Sequence, residues 1–100
     1  MSEGYEVVDE ADRGRFVAVV EGHEAELVYI LDGDRLDLVH TGVPDAIGGR
    51  GVAAALVSAA VERARRERLV LVATCPYVAS WVARHPDALA EVTVGPSGPS

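Results

Sequence analysis

The most informative part of this 100-residue chain is the stretch His40-Thr41-Gly42-Val43-Pro44-Asp45-Ala46-Ile47-Gly48-Gly49-Arg50-Gly51-Val52-Ala53. It runs from the end of a predicted strand, through a turn, into a long predicted helix. Three glycines lie where that helix begins, and such a turn leaves backbone N–H groups free and lets a phosphate approach the main chain closely. Arg50 adds a positive charge to a chain whose net charge is −7. The stretch therefore predicts a site for a phosphorylated ligand.

The residues that follow predict a crossover between two parallel strands. Helical spacing runs from Gly49 or Arg50 to about Arg68, with an apolar face that includes Val52, Leu56, Ala59 or Ala60, and Ala64. Leu69–Ala73 is a short, continuous apolar run, which is typical of a strand buried on both faces. Strand, helix and strand together make a βαβ unit, so the two strands should be parallel.

The chain before the stretch alternates as an antiparallel meander does. Arg15–Val20 is rich in β-formers, and Glu24–Leu31 places Ala25, Leu27, Tyr29 and Leu31 on one face. Asp32-Gly33-Asp34 carries a hairpin signal, after which Leu36, Leu38 and His40 should share the inner face of a third strand. Residues from Gly4 to Arg13 fit either an edge strand or a loose arm.

A second, short helix should begin at Pro76, which suits the first helical turn, and end at Arg84-His85-Pro86. Its apolar face includes Trp81, which we expect in the core. Residues 88–94 fit either a short helix or a closing strand. The predicted fold class is α/β (α+β): an antiparallel meander, a parallel βαβ crossover and a second short helix. We expect one domain over residues 1–94 and a flexible tail over 95–100.

Composition excludes several classes of function. The acidic net charge of −7 disfavours a nucleic-acid binder. No apolar run approaches the roughly 18 residues of a membrane span, and the N-terminus has no signal-peptide pattern. A single cysteine allows no internal disulfide, which suits a reducing cytoplasm. The histidines and the cysteine lack metal-ligand spacing, so no metal site is expected.

At these motifs the chain resembles the GNAT superfamily of acyl-CoA-dependent N-acyltransferases. That family's acyl-CoA signature is Arg/Gln-x-x-Gly-x-Gly/Ala, which Gly51 and Ala53 match. The chain is most similar to very small, single-domain members, whose turn reads His-Thr-Glu-Val-Pro and then Gly-Arg-Gly-(Ile/Val)-Ala. Those members also carry Cys-x-(Tyr/Phe)-(Val/Ile) before a short helix, as in Cys75-Pro76-Tyr77-Val78 here. The resemblance spans roughly Phe16 to Pro86.

The resemblance implies acetyl-CoA as co-substrate, with its pyrophosphate on the N–H groups around Gly49–Ala53 and its pantetheine arm beside the third strand. The residues implied in cofactor binding are Leu38, Val39, His40, Thr41, Gly42, Val43, Gly48, Gly49, Arg50, Gly51, Val52 and Ala53. The thioester would then lie near His40, Thr41 and Cys75.

Two positions depart from the family pattern. The first signature position, usually Arg or Gln, is Gly48, which removes one group that helps to hold the pyrophosphate. Small members usually have Glu after His-Thr, and this chain has Gly42. If that glutamate is the general base in the small members, this chain lacks the general base at position 42.

Three residues are candidates for catalysis, each with an alternative. His40 is either a general base suited to neutral pH or a histidine packed in the core. Cys75, at a helix N-terminus that favours thiolate, is an acyl-accepting nucleophile, a residue that lines the pocket, or an inert buried cysteine. Tyr77 either protonates the leaving thiolate or is an amphipathic core aromatic.

Arginines at 63, 65, 66 and 68 most simply form a solvated helix end. The sequence as a whole predicts an acetyl-CoA-dependent N-acetyltransferase acting on an amine, active as a monomer or weak homodimer. The alternative is a catalytically weak acyl-CoA-binding or regulatory module. A structural interaction domain is a third hypothesis without specific support.

Overall fold

The chain forms a mixed sheet with two helices, and a computed structural model describes residues 5–96. The strands are β1 (Val8–Glu10), β2 (Arg15–Val20), β3 (His23–Asp32), β4 (Arg35–Gly42), β5 (Val70–Ala73) and β6 (Thr93–Gly95). The helices are α1 (Val52–Glu67) and α2 (Pro76–Arg84), and short 3-10 turns occupy Ala11–Arg13, Asp45–Ile47 and Pro86–Leu89.

The six strands lie in the sheet in their order along the chain. β1 to β4 pair antiparallel, whereas β5 pairs parallel with β4 and β6 pairs parallel with β5. The predicted meander and parallel crossover are therefore confirmed. Within residues 5–96, neither helix is both long and apolar enough to span a lipid bilayer.

Both helices pack on the same face of the sheet, which we call the helical face. Its strand residues join one buried cluster with the apolar sides of α1 and α2: Phe16, Ala18, Ala25, Leu27, Tyr29, Leu36, Leu38 and Leu71. The alternate residues point to the other face, which we call the open face: Arg15, Val17, Val19, Glu24, Glu26, Val28 and Ile30. Val19 is 63% exposed and Ile30 57% exposed, so much of the open face meets solvent.

A β-bulge in β4 changes which side chains face the helices. Tyr29 pairs with Leu38 but Val28 pairs with His40, so Val39 is an extra residue on β4. Because one inserted residue reverses the alternation, His40 leaves the face of Leu38 and is exposed. The prediction that His40 shares the inner face of Leu36 and Leu38 was therefore wrong.

The same region of β4 separates from its parallel neighbour. The pairing with β5 stops at Leu38 and Ala73, and the Cys75 N–H then donates to the Leu38 carbonyl at 2.9 Å. Pro76 follows and begins α2. Among the described residues, Val39–Gly42 have no strand partner on the β5 side, so this segment of β4 presents an unpaired backbone edge.

Several boundaries differ from the sequence predictions. α1 begins at Val52 rather than Gly49 or Arg50, because Gly49 and Gly51 have φ of 75° and 82°. β5 begins at Val70 rather than Leu69, because Arg68, the residue after α1, has a left-handed conformation and the Leu69 N–H still bonds to the Ala64 carbonyl of α1.

Other differences lie near the ends of strands and of the chain. Leu31 pairs with Leu36 and so shares the face of Leu27 and Tyr29, as predicted, but it is 43% exposed because it lies at the hairpin end of β3. Gly95, assigned to a flexible tail, pairs with Val72 in the sheet. Residues 97–100 of that tail, and Gly4 of the N-terminal segment, lie outside the described residues. Residues 88–94 contribute both to a 3-10 turn and to β6.

The prediction that the arginines at the end of α1 are all solvated was wrong for Arg63. It is only 9% exposed and donates from Nη1 to Asp9 Oδ2 and to the Tyr29 hydroxyl, both at 2.9 Å. The Tyr29 hydroxyl donates in turn to Asp9 Oδ1 at 2.6 Å. This network fastens β1 to α1 and β3, while Arg66 remains an exposed surface arginine.

We expect Arg63→Ala to lower the free energy of unfolding by about 1–3 kcal/mol, because it removes charge-assisted hydrogen bonds from a largely buried group. Arg66→Ala is the matched control on the same helix, and it should change stability by less than about 0.5 kcal/mol. Urea denaturation followed by circular dichroism measures both. Equal effects of the two substitutions would contradict a structural role for the buried network.

Candidate acyl-CoA site

The turn between β4 and α1 ends in an uncapped helix N-terminus. Ile47 is fully buried and anchors the turn, whereas the glycines after it are exposed. Gly51 is the N-cap residue and no side chain caps the helix. The first N–H groups of an α-helix lack intrahelical partners, so those of Val52 and Ala53 point out of the helix end with the positive end of its dipole.

A cleft of about 230 Å³ lies directly at this helix end. It is lined by Val43, Ile47, Gly48, Gly49, Gly51, Val52, Ala53, Ala54 and Tyr77. A larger cleft of about 450 Å³ lies beyond the other end of α1, between Arg65, Arg68 and Glu91, and contains none of the predicted site residues. The smaller cleft is the one whose backbone chemistry suits a phosphate.

Arg50 is held away from the mouth of the turn. Its Nη1 lies 2.9 Å from Glu21 Oε2, in the turn between β2 and β3, and its carbonyl accepts a hydrogen bond from the Tyr5 hydroxyl at 2.7 Å. The hydrogen bond from Arg50 holds the pKa of the Glu21 carboxyl below its ordinary value. The Arg50 side chain is 42% exposed and that of Glu21 66%, so the ion pair is open to solvent and Arg50 can exchange Glu21 for another anion.

Cys75 and Thr41 meet at the unpaired edge of β4. Thr41 Oγ1 lies 3.4 Å from Cys75 Sγ, and Cys75 is the N-cap residue of α2. Burial opposes ionisation of this thiol. Hydrogen bonds from the Thr41 hydroxyl and from the N–H groups of Val78 and Tyr77 outweigh burial, so the pKa of Cys75 is lower than its ordinary value.

The three predicted catalytic residues do not form one cluster. Cys75 is buried on the helical side and Tyr77, half-buried, lines the cleft on that side. His40 lies on the open face as a consequence of the bulge. The unpaired edge of β4 separates them, so a group inserted along that edge would have Cys75 on one side and His40 on the other.

Sequence reasoning missed the partners that these residues acquire across the sheet. Glu21 engages Arg50, and Glu26 lies opposite Gly42 in the β3–β4 register. The alternation of β3 places Glu26 on the face opposite Ala25 and Leu27, but its neighbour across the sheet depends on a register that the bulge sets. Among residues 5–96, no group of three or more His, Cys, Asp or Glu side chains is arranged to hold a metal ion.

Comparison with protein-family models places most of the chain in one family. The model described as GCN5-related N-acetyl-transferase matches residues 15–92, which extend from the start of β2 to just before β6. The matched part contains both helices, the glycine turn and the unpaired edge of β4.

The chain is also similar to curated proteins named NATD1. It is 38% identical over 91 residues to the protein from Gallus gallus, covering 86% of this chain and 83% of that protein. It is likewise 38% identical over 91 residues to the Homo sapiens protein, of which 80% is covered.

A solved structure shares the fold. The solution NMR structure of a GCN5-like protein from Staphylococcus aureus superposes with a TM-score of 0.65 at 30% identity, covering 95% of this chain and 92% of that one. The resemblance drawn from the turn motif is thereby confirmed. The matched family model, the similar proteins and the shared fold show that this chain belongs to the GCN5-related N-acetyltransferase family.

Proposed function

We propose that this protein is an N-acetyltransferase that transfers an acetyl group from acetyl-CoA to a primary amine. The observation that carries the proposal is the pairing of two backbone features: an uncapped helix N-terminus at Gly51 and an unpaired strand edge at Val39–Gly42. The first suits a pyrophosphate and the second suits the amide-containing pantetheine arm, and they follow one another along the chain.

The residues present fit the pyrophosphate. A side-chain carbon added at Gly49 would meet nothing within 4 Å, so the backbone there is open to a ligand. Gly48, Gly49, Arg50, Gly51, Val52 and Ala53 would hold the phosphates through main-chain N–H groups. Gly48 lacks the side chain that helps to hold the pyrophosphate in the family pattern. The Arg50 guanidinium would replace that contact in part once it leaves Glu21.

The strand edge fits the pantetheine arm. Leu38, Val39, His40, Thr41, Gly42 and Val43 would flank it, and backbone groups within Val39–Gly42, the segment without a β5 partner, would pair with its amides as a strand does. Acetyl-CoA supplies an acyl group activated as a thioester. One C–N bond forms and one C–S bond breaks, and the proton lost by the amine balances the one gained by the thiol.

His40 and Cys75 offer two routes. In direct transfer, His40 removes the proton of the acceptor amine from the open face, and Tyr77 donates a proton on the cleft side. In the alternative route, the Cys75 thiolate accepts the acyl group first. Cys75 is only 6% exposed, which favours direct transfer with Cys75 lining the pocket.

A catalytically weak acyl-CoA-binding module is the second candidate function, and Gly42 favours it because position 42 has no side chain to act as a base. The two functions separate in one assay: the protein is incubated with acetyl-CoA and a panel of primary amines, and free thiol is followed. Release of thiol that depends on the amine supports the enzyme. Coenzyme A binding without release for any amine would leave only the binding module.

The first prediction concerns the helix end. Ala53→Glu should weaken coenzyme A binding by about tenfold or more, because the new carboxylate takes the N–H groups and repels the phosphates. Stability should not fall, since an acidic residue in the first helical turn suits the dipole. Isothermal titration calorimetry and urea denaturation measure the two effects.

Ser58→Glu is the matched control, because Ser58 is exposed on the same helix more than one turn away. It should leave the affinity for coenzyme A near the wild-type value. Unchanged binding in Ala53→Glu would show that the pyrophosphate does not bind at this turn.

The second prediction concerns the ion pair of Arg50. Glu21→Gln should strengthen coenzyme A binding by up to about fivefold at low salt, because it frees the guanidinium and removes a nearby negative charge. Arg50→Gln should weaken binding. Equal affinities for the two variants, measured by calorimetry, would exclude a phosphate contact by Arg50.

The third prediction concerns the thiol. Cys75 should ionise below the ordinary cysteine value of about 8.5, and Thr41→Val should move its pKa upward because a hydrogen bond to the thiolate is lost. The ultraviolet absorbance of the thiolate measures this against pH, with Cys75→Ser as the blank. Mass spectrometry after incubation with acetyl-CoA alone tests the acyl route, and an unmodified Cys75 argues against it.

A further inference from the structure

Residues 5–9, which we call the N-terminal strap, run beside α1 from its C-terminal half to the turn before its first residue. At one end, Asp9 Oδ2 accepts a hydrogen bond from Arg63 Nη1 at 2.9 Å. At the other end, the Tyr5 hydroxyl donates to the Arg50 carbonyl at 2.7 Å, and the Tyr5 ring packs against the buried cluster. The strap thus connects the edge strand β1 with the candidate acyl-CoA site.

The Arg50 carbonyl lies outside the hydrogen-bond ladder of α1. The ladder begins one residue later, where the Ala55 N–H donates to the Gly51 carbonyl at 3.0 Å. Within residues 5–96, the partner of the Arg50 carbonyl is the hydroxyl of Tyr5 rather than an N–H group of the helix. The direction of this carbonyl is therefore set by a side chain from the other end of the sequence.

The direction of the Arg50 carbonyl also decides the direction of the next N–H group. The Arg50 carbonyl and the Gly51 N–H belong to one planar trans peptide group, in which the two bonds point in opposite directions. The cleft of about 230 Å³ at the start of α1 is lined by Gly51 but not by Arg50 or Tyr5. A carbonyl held towards Tyr5 therefore turns the Gly51 N–H towards the cleft.

Gly51 does not select this orientation by itself. Its φ is 82°, and glycine adopts positive and negative φ about equally well. If the peptide group between Arg50 and Gly51 turned over, Gly51 would take a negative φ and the Arg50 carbonyl would point into the cleft. A carbonyl oxygen there would repel an anion, whereas an N–H group attracts it. The hydrogen bond from Tyr5 favours the orientation that suits a phosphate.

We propose that Tyr5 is a positioning residue for the acyl-CoA site, which holds the peptide group before α1 so that the Gly51 N–H faces the pyrophosphate. The inference rests on the proposed function and adds a residue outside the glycine turn. Glu21 holds the side chain of Arg50, at 2.9 Å, while Tyr5 holds its main chain. The guanidinium can therefore leave Glu21 for a phosphate without any rotation of the peptide group.

The first experiment compares Tyr5→Phe with Tyr29→Phe by isothermal titration calorimetry and urea denaturation. Each removes one hydroxyl group, but the Tyr29 hydroxyl bonds to Asp9 and Arg63, away from the turn. Tyr5→Phe should weaken coenzyme A binding by about threefold to tenfold, the value of one hydrogen bond. Its stability should stay near wild type, because the lost bond is exposed. Tyr29→Phe should lower stability and change the affinity by less than about twofold. Equal losses of affinity in the two variants would overturn the proposal.

Kinetics separate a positioning role from a purely structural one. Tyr5→Phe should raise the KM for acetyl-CoA by the same factor and leave kcat unchanged at saturating acetyl-CoA, because Tyr5 bonds to the turn and not to the residues near the thioester. A lower kcat with an unchanged KM would contradict the proposal.

The orientation of the peptide group is measured without any ligand, by the NMR residual dipolar coupling of the Gly51 N–H bond. One orientation should account for the coupling in wild type. In Tyr5→Phe the coupling should fall in magnitude, because two orientations average, while that of Ala60 inside α1 stays the same. An unchanged Gly51 coupling in Tyr5→Phe would overturn the proposal.

The same measurement separates this inference from the proposed function. If the Gly51 coupling falls in Tyr5→Phe but wild type does not bind coenzyme A, Tyr5 orients the peptide group and the proposed function fails. If wild type binds coenzyme A and releases thiol, but Tyr5→Phe changes neither the coupling nor the affinity, the positioning role is wrong and the proposed function survives.

Discussion

The extra residue in β4 is the constraint on which the site depends. A strand without the bulge would place His40 on the helical face with Leu36 and Leu38, following the alternation of the rest of β4. It would also keep Thr41 away from Cys75. Because Val39 is inserted, the last residues of β4 reverse their faces just where the parallel neighbour ends. One backbone irregularity thus exposes His40 and turns Thr41 towards Cys75, beside the edge of β4 that the end of β5 leaves unpaired.

Much of the fold was predictable because its signals are local. The apolar run at β5, the helical period of α1 and the hairpin at Gly33 each depend on residues that are close in sequence. The bulge was not predictable, because it exists only as a register between β3 and β4 and leaves no composition signal. The error over His40 follows directly from that difference.

The candidate site also has features that the sequence predicts and features that it does not. The glycine turn could be predicted, since a strand-to-helix junction rich in glycine carries its chemistry in the backbone. The burial of Arg63 could not, because it arises from Asp9 and Tyr29 on distant strands. The pairing of Glu26 with Gly42 also had no sequence signal, because it depends on the register between β3 and β4. Side-chain partners across a sheet depend on strand register, which local sequence patterns do not determine.

The chemistry proposed for the turn between β4 and α1 uses main-chain N–H groups, and this affects how freely the sequence of the turn can vary. Every residue except proline offers the same N–H group, so most side chains in the turn can be exchanged without removing a donor. The exceptions are Gly49 and Gly51, whose positive φ values most other residues adopt only with strain. Side chains of the family signature can therefore be absent, as at Gly48, while the main-chain N–H groups of the turn remain.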